Sequence, residues 1–345
     1  MGSEKPRKAM IHIGMGKTGS SAIQEFFTKL NNEKVLYPVI SETGHQNIEV
    51  LFREYESVGR GIKSNVSEGL YSKFKSDFKE KLESELKTGT DVLISAEYLF
   101  NFTVKEVASL RSYLELHNIN EFKVIAYVRA PEKFYLSALQ QRLKASYKVE
   151  SPSSFKVGFK RRLSAWMEVF GKENVLVREY SRETLIQRDV IHDFVSQYNN
   201  FFETNVEARP ISANKSMSAI GMYLMQSYRK AVYNDEDNRF KPDSSRLLSL
   251  ILRDSVYHEP PKLKLTAKAA IIKNHLNEYK FLNENFDIFA DVMKEIGAFE
   301  AQNSVSDFPE NVLLSDVLEN EVDDMLVQSY TLEILSKLLK KEGLN

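Results

Sequence analysis

Short apolar runs and helically spaced apolar positions alternate over the first two hundred residues. Residues 9–14 form an apolar run that reads as a buried strand, and residues 20–31 as a helix. In that helix Ile23, Phe26, Phe27 and Leu30 fall at i, i+3, i+4 and i+7 on one face. Residues 32–66 carry little pattern and contain Gly44, Gly59 and Gly61, so they read as loop with short helical pieces. From Ser67, Leu70, Phe74, Phe78, Leu82 and Leu86 recur every four residues among lysines and glutamates, and Lys87-Thr88-Gly89 closes that helix. Residues 91–96 read as a second buried strand ending at Glu97, 103–117 as a helix, and 123–128 as a third strand ending at Arg129. Ala130-Pro131 opens a helix to about Tyr147, with proline suited to the first turn. A helix over 155–170, a strand over 174–177 and a helix over 184–199 follow. Beyond about 210 the pattern is helical: 217–233, 244–257, 265–282, 284–296 and 320–341.

Strands that alternate with helices predict an α/β fold, a three-layer parallel sheet with helices on both faces. No proline- or serine-rich linker divides the chain. One domain is therefore expected, with a core over 9–210 and a helix-rich C-terminal portion over 211–345.

Composition narrows the options. A hydrophobic share of 42% over 345 residues supports a real core, and a net charge of −1 supplies no global field for nucleic acid or anionic lipid. Cysteine is absent, which removes disulfides, thiolate metal sites and cysteine nucleophiles and fits a reducing, cytoplasmic setting. No run reaches the roughly 18 apolar residues of a membrane span, and the N-terminus lacks an apolar signal core.

The chemistry concentrates where the first strand meets the first helix. Gly14, Gly16 and Gly19 stand among Lys17, Thr18, Ser20 and Ser21. Glycines let the backbone turn tightly and aim N–H groups inward, and the helix that follows presents its positive end, so the turn suits an anion, most often a phosphate. A lysine buried in such a turn would need that anion. A triphosphatase loop requires glycine, four residues, then Gly-Lys-Ser/Thr. Gly16-Lys17-Thr18 supplies the second half, but Ile11 stands where the first glycine belongs. The loop is instead extended behind the lysine by Gly19-Ser20-Ser21.

Lys17-Thr18-Gly19-Ser20-Ser21 resembles the 5′-phosphosulfate loop of sulfotransferases, Lys-[Ser/Thr]-Gly-[Ser/Thr]-[Ser/Thr] after a first strand. Arg129 at a strand end with Ser137 eight residues on is similar to the family's 3′-phosphate site. The resemblance implies a P-loop-like α/β fold of the bacterial or carbohydrate-directed type. It also implies 3′-phosphoadenosine 5′-phosphosulfate (PAPS) as donor, the 3′,5′-bisphosphate (PAP) as product, and no metal in the chemical step. By the same resemblance the amides of residues 18–22, Ala22 included, and the hydroxyls of Ser20 and Ser21 hold the 5′-phosphate. Lys17 then meets the oxygen bridging phosphorus and sulfur. Likeness covers about 10–200. Cytosolic members carry a tryptophan where Ala22 stands, and their late Arg-Lys-Gly segment has no clean counterpart; Asn214-Lys215-Ser216 is the nearest substitute.

Sulfuryl transfer to a hydroxyl needs a proton acceptor. Family members place a histidine or glutamate at the end of a central strand, and Glu97 stands there. His45, in a glycine-bearing loop after the first helix, is the rival, with a role in the acceptor site or as base. His12 alternates with Ile11 and Ile13 and reads as a packed histidine, while His117, His192, His258 and His275 show no ligand spacing. Asp323-Asp324 reads as a solvated pair, and no metal constellation is recognised.

Residues 129–188 hold 13 Lys/Arg against 6 Asp/Glu, densest at Lys156 and Lys160-Arg161-Arg162. They read as a solvated helix face before they read as a groove for an anionic polysaccharide. Phe100, Phe102, Tyr135, Tyr147 and Trp166 read as core before they read as a sugar site. The expected partner is a hydroxyl-bearing acceptor, a glycan or other small molecule, and neither nucleic acid nor a membrane. A P-loop kinase or triphosphatase using ATP and magnesium, and a nucleotide-binding interaction module, are the competing classes.

Overall fold

The structure is a computed structural model that describes residues 6–30, 32–40, 44–211, 216–253, 259–294 and 307–341. Asn214, Lys215 and His258 lie outside these residues, as do the ends of the helices expected at 244–257 and 284–296.

Five strands form one sheet: β1 (Arg7–His12), β2 (Val35–Leu36), β3 (Asp91–Ser95), β4 (Ile119–Val128) and β5 (Val175–Glu179). Their order is β2-β3-β1-β4-β5 and every pairing is parallel. Ile11 pairs with Ile94 on one side and Val124 on the other, so β1 is central and its side chains are buried on both faces. That explains why β1, β3 and β4 read as continuous apolar runs, the mark of strands covered on both sides.

In chain order the helices up to residue 202 are α1 (Ser20–Lys29), α2 (Arg60–Asn65), α3 (Glu68–Leu86), α4 (Val104–Glu115), α5 (Pro131–Leu143), α6 (Phe159–Phe170) and α7 (Val190–Phe202). Successive strand residues face opposite ways. Met10, Leu93, Ile125 and Tyr127 pack with Ile23, Phe26 and Phe27 of α1 and Ile191, Phe194 and Tyr198 of α7. On α4 and α6, Leu110, Leu114, Leu163 and Trp166 are buried, with the Trp166 ring stacked between Phe102 and Phe170. Truncating such a ring to alanine costs about 3–5 kcal/mol. The helix at 104 starts on a capping box, Thr103 with Glu106, which fixes where the chain turns back toward β4.

The chain divides into two compact units. The first comprises Met1–Arg129, Gly158–Ala213 and Phe281–Ala290, and holds the sheet. The second comprises Ala130–Val157, Asn214–Lys280 and Asp291–Asn345, and is helical. Sequence pattern placed a single break near 210; the second unit also takes residues 130–157, α5 among them. Within it α5 packs with α8 (Ala219–Val232) and α10 (Leu265–Asn274), and α9 (Pro242–Arg253) packs on α8.

A single helix expected over 265–282 is two. It breaks at His275, before α11 (Leu276–Phe286). The buried His275 ring meets the Ile271 carbonyl at 2.7 Å and accepts the Val157 N–H at 3.0 Å. No helix among the described residues is long and apolar enough to cross a membrane.

Candidate functional site

Connections leave β1 toward β2 and β3, then cross over to β4 and β5. The strand order therefore reverses at β1, and in such sheets the ligand crevice opens outside the carboxyl ends of the strands at that point. The turn after β1, Glu97 after β3 and Arg129 after β4 all stand at this edge, in the first unit.

Strand-like pairing continues past β1. Ile13 donates to Ile125, Tyr127 to Gly14 (2.7 Å) and Met15 to Tyr127 (2.8 Å). The free turn is therefore only Gly16-Lys17-Thr18-Gly19, and it has no room for the longer front of a triphosphate loop. Lys17 and Gly19 take left-handed backbone angles, φ 66° and 80°. The Thr18 hydroxyl closes the turn by donating to the Met15 carbonyl at 2.6 Å, and Ser20 Oγ reaches the same oxygen at 3.4 Å.

Gly19 precedes α1 in the left-handed conformation and no side chain caps the helix. The first intrahelical donors are Ala22 (3.0 Å) and Ile23 (3.1 Å), both to Gly19. The leading amides of Ser20 and Ser21 come before that ladder begins, as at any helix start. The amide of Ala22 is spent inside the helix, so it is not a donor for an anion. Thr18 and Ser20 are buried with their hydroxyls turned inward, whereas Ser21 is exposed.

Lys17 lies exposed at the rim instead of buried in the turn. Crowding by protein atoms lowers its pKa, and the charge of Glu97 opposes that shift. Glu97 is half-buried and opens a 3₁₀ turn, Glu97–Asn101. A Cβ on Gly16 would stand 3.2 Å from Glu97 Oε2, and one on Gly14 would stand 3.2 Å from Glu97 Cα. The carboxylate thus lies directly on the glycine turn, in reach of the field of Lys17.

Arg129 sends Nη1 to the Lys17 carbonyl at 3.4 Å, and its guanidinium lies 5.9 Å from the Tyr180 ring. Tyr180 and Val190 wall the far side of the turn: a Cβ on Gly19 would come within 3.4 Å of the Tyr180 ring and 2.7 Å of Val190 Cγ1. Asp189 caps α7 beside them, accepting from Ile191 and His192. Ser137 stands half-buried on α5, in the second unit.

The rival base is not available. His45 is buried (1% exposed), and both its ring nitrogens are engaged, Nδ1 by the Ser95 N–H at 2.9 Å and Nε2 by the Pro38 carbonyl at 2.8 Å. Burial lowers its pKa to about 4. No lone pair is left to take an acceptor's proton. His12 is packed as expected, edge-on to Phe194, with Nδ1 2.8 Å from Ser95 Oγ and a pKa lowered by burial to about 3.

Phe100, Phe102, Tyr135 and Trp166 are core residues, and only Tyr147 of that group is half-buried. Lys160 and Arg161 are exposed on α6 in the first unit; Lys156 is exposed in the second. Asp323 and Asp324 are exposed. A cavity of about 340 Å³ lies away from this edge, toward the amino ends of β4 and β5, with Met10, Ile125, Leu176 and Phe201 in its lining. Neither Lys17, Glu97, Arg129, Ser137 nor His45 lines it.

Two features escaped sequence pattern. Ser95 is a hub, bonded to His45, His12 and Gln24. The buried Glu49 ties the loop after β2 together, accepting from Gly59 (2.9 Å) and Arg53 (2.7 Å), with its pKa raised chiefly by burial. Glu49 and Arg53, opposite charges four residues apart in a segment without periodicity, were the available signal.

No family model matches the chain. Over 153 residues it is 25% identical to an uncharacterized protein of Archaeoglobus fulgidus, a stretch that spans 44% of this chain and 41% of that relative.

Proposed function

We propose that this chain is a sulfotransferase of the carbohydrate-directed or bacterial type, which moves a sulfuryl group from PAPS to an acceptor hydroxyl on a glycan. One observation carries the proposal: a carboxylate packs on a four-residue glycine turn whose lysine feels its charge, beside an uncapped helix start, at the carboxyl edge of the central strand.

The turn offers what a phosphosulfate requires. Leading amides of α1 and the helix dipole favour the 5′-phosphate. Exposed Lys17 can neutralise the charge that grows on the bridging oxygen as the S–O bond breaks, an interaction strongest in the transition state. Glu97 accepts the acceptor's proton as the new O–S bond forms, and the departing electron pair stays on the phosphate beside Lys17. Arg129, at the same edge, suits a second phosphate as a bidentate donor. Ser137 enters on its sequence spacing from Arg129 alone.

Against an ATP- and magnesium-dependent P-loop enzyme stands Thr18. In that class the hydroxyl after the lysine faces the metal. Here it is fully buried and donates its hydrogen bond to the Met15 carbonyl.

Calorimetry with adenosine 3′,5′-bisphosphate against ATP plus magnesium tests the proposal. Metal-independent bisphosphate binding that Arg129→Ala abolishes is the expected result. Preference for ATP with magnesium overturns it, and binding of neither ligand points to an interaction module. Lys17→Met is expected to lower turnover by about 10²–10³ while the bisphosphate still binds.

A further inference from the structure

The sheet edge beside Glu97 is finished by a side chain instead of a strand. Strand β2 is two residues long, pairing Val35 with Asp91 and Leu36 with Val92. Pro38 follows and has no N–H to offer. Ser95, the last residue of β3, would therefore meet the edge with its N–H and C=O unpaired, at the end of the strand that leads into Glu97.

His45 fills this gap. Its main-chain N–H donates to the Ser95 carbonyl at 2.9 Å, and its Nδ1 accepts the Ser95 N–H at 2.9 Å. Because a peptide N–H only donates, the proton of the neutral ring must sit on Nε2. From there it reaches the Pro38 carbonyl at 2.8 Å. The imidazole is a rigid spacer, acceptor on one side and donor on the other, wedged between β3 and the chain that leaves β2. Tyr37 packs on its face, ring centres 4.3 Å apart.

Ser95 is held from its other sides as well. Its Oγ meets His12 Nδ1 at 2.8 Å, and Gln24 Nε2 reaches both its Oγ and its carbonyl at 3.3 Å. Gly44 allows this approach, since a Cβ there would stand 2.5 Å from the Gln24 amide. Ala96 donates to the His12 carbonyl at 2.9 Å. Every polar group of Ser95 is fixed, and Glu97 lies two residues on.

We infer that His45 is a positioning residue that, through Ser95, sets where the Glu97 carboxylate lies on the glycine turn. The inference rests on the sulfotransferase reading of that site. His45 touches neither Lys17 nor Arg129 in any hydrogen bond described above, so its loss should disturb proton transfer more than donor binding. Asparagine places an acceptor where Nδ1 stands and can keep the Ser95 N–H. Glutamine places a donor where Nε2 stands and keeps only Pro38.

The test compares His45→Gln and His45→Asn with the unaltered chain. Two quantities are measured: calorimetric affinity for adenosine 3′,5′-bisphosphate, and single-turnover release of sulfate from PAPS to water. His45→Gln is expected to bind the bisphosphate within about threefold of the parent and to release sulfate about tenfold or more slowly. His45→Asn is expected to recover most of the rate. Equal rates in all three chains overturn the positioning role. So does a parallel loss of affinity and rate in both variants, which marks a general structural defect. A parent chain that neither binds the bisphosphate nor releases sulfate removes the sulfotransferase reading, and the positioning role falls with it.

Discussion

Asp193 receives both arms of the Arg178 guanidinium, Nε at 2.6 Å and Nη2 at 2.5 Å, and the Tyr127 hydroxyl at 2.7 Å. The carboxylate is fully buried and also accepts the Ile186 N–H at 3.1 Å. Four bonds to one side chain join β4, β5, α7 and the turn before α7. They brace β4, which leads into Arg129, and the helix whose Val190 walls the glycine turn.

Removing one partner of such a pair strands the other charge. Asp193→Ala is expected to cost about 3–5 kcal/mol, read from urea unfolding. An apolar replacement of both, Asp193→Leu with Arg178→Met, should recover a good part of that loss, because no unpaired charge remains.

Acid should unfold the protein earlier than carboxylate titration alone would bring about. His12 and His45 have pKa values lowered by burial to about 3 and about 4, against an ordinary 6.5. Between those values and 6.5 the unfolded chain binds more protons than the folded one, so stability rises with pH across that window and levels off above it. A tenfold loss of proton affinity on folding corresponds to about 1.4 kcal/mol. The urea midpoint is expected to fall steadily from pH 6.5 to pH 4, and His45→Asn should flatten part of the slope.

Gly19 is needed for two separate reasons. Its φ is 80°, and a Cβ would lie 2.7 Å from Val190 Cγ1. Gly19→Ala is expected to cost about 1–2 kcal/mol from the left-handed backbone alone, plus the overlap. Adding Val190→Ala should remove the overlap and leave the backbone cost, a difference that thermal unfolding of the two variants resolves.

Gly16 has an ordinary backbone, so its substitution isolates the carboxylate. Gly16→Ala would put a methyl 3.2 Å from Glu97 Oε2. Stability should hardly change, while sulfate release falls about tenfold and bisphosphate affinity holds. A drop in affinity equal to the drop in rate would contradict the placement of Glu97 as the proton acceptor.

Legibility in the sequence followed burial on two sides. Strands β1, β3 and β4 announce themselves as unbroken apolar runs, and Lys17, Glu97 and Arg129, which follow their carboxyl ends, could be picked out. Strand β2 could not, since two residues carry no period and its edge is completed by a histidine nine residues later. The break at His275 was hidden for a related reason: it is made by Val157, more than a hundred residues away. Inside the candidate site, residue types were legible and their states were not. Lys17 is exposed where a buried lysine was expected, and Thr18 and Ser20 turn their hydroxyls to Met15, because short-range bonding decides side-chain direction in a four-residue turn.

An edge of a sheet is also an invitation to another chain, and unpaired N–H and C=O groups are the template on which strands add and aggregates grow. Here the most polar point of the β3 edge is occupied from within: His45 takes both backbone groups of Ser95, and Pro38 denies a donor beside them. The same ring that steadies the edge leaves Ser95 no backbone group with which a second molecule could pair.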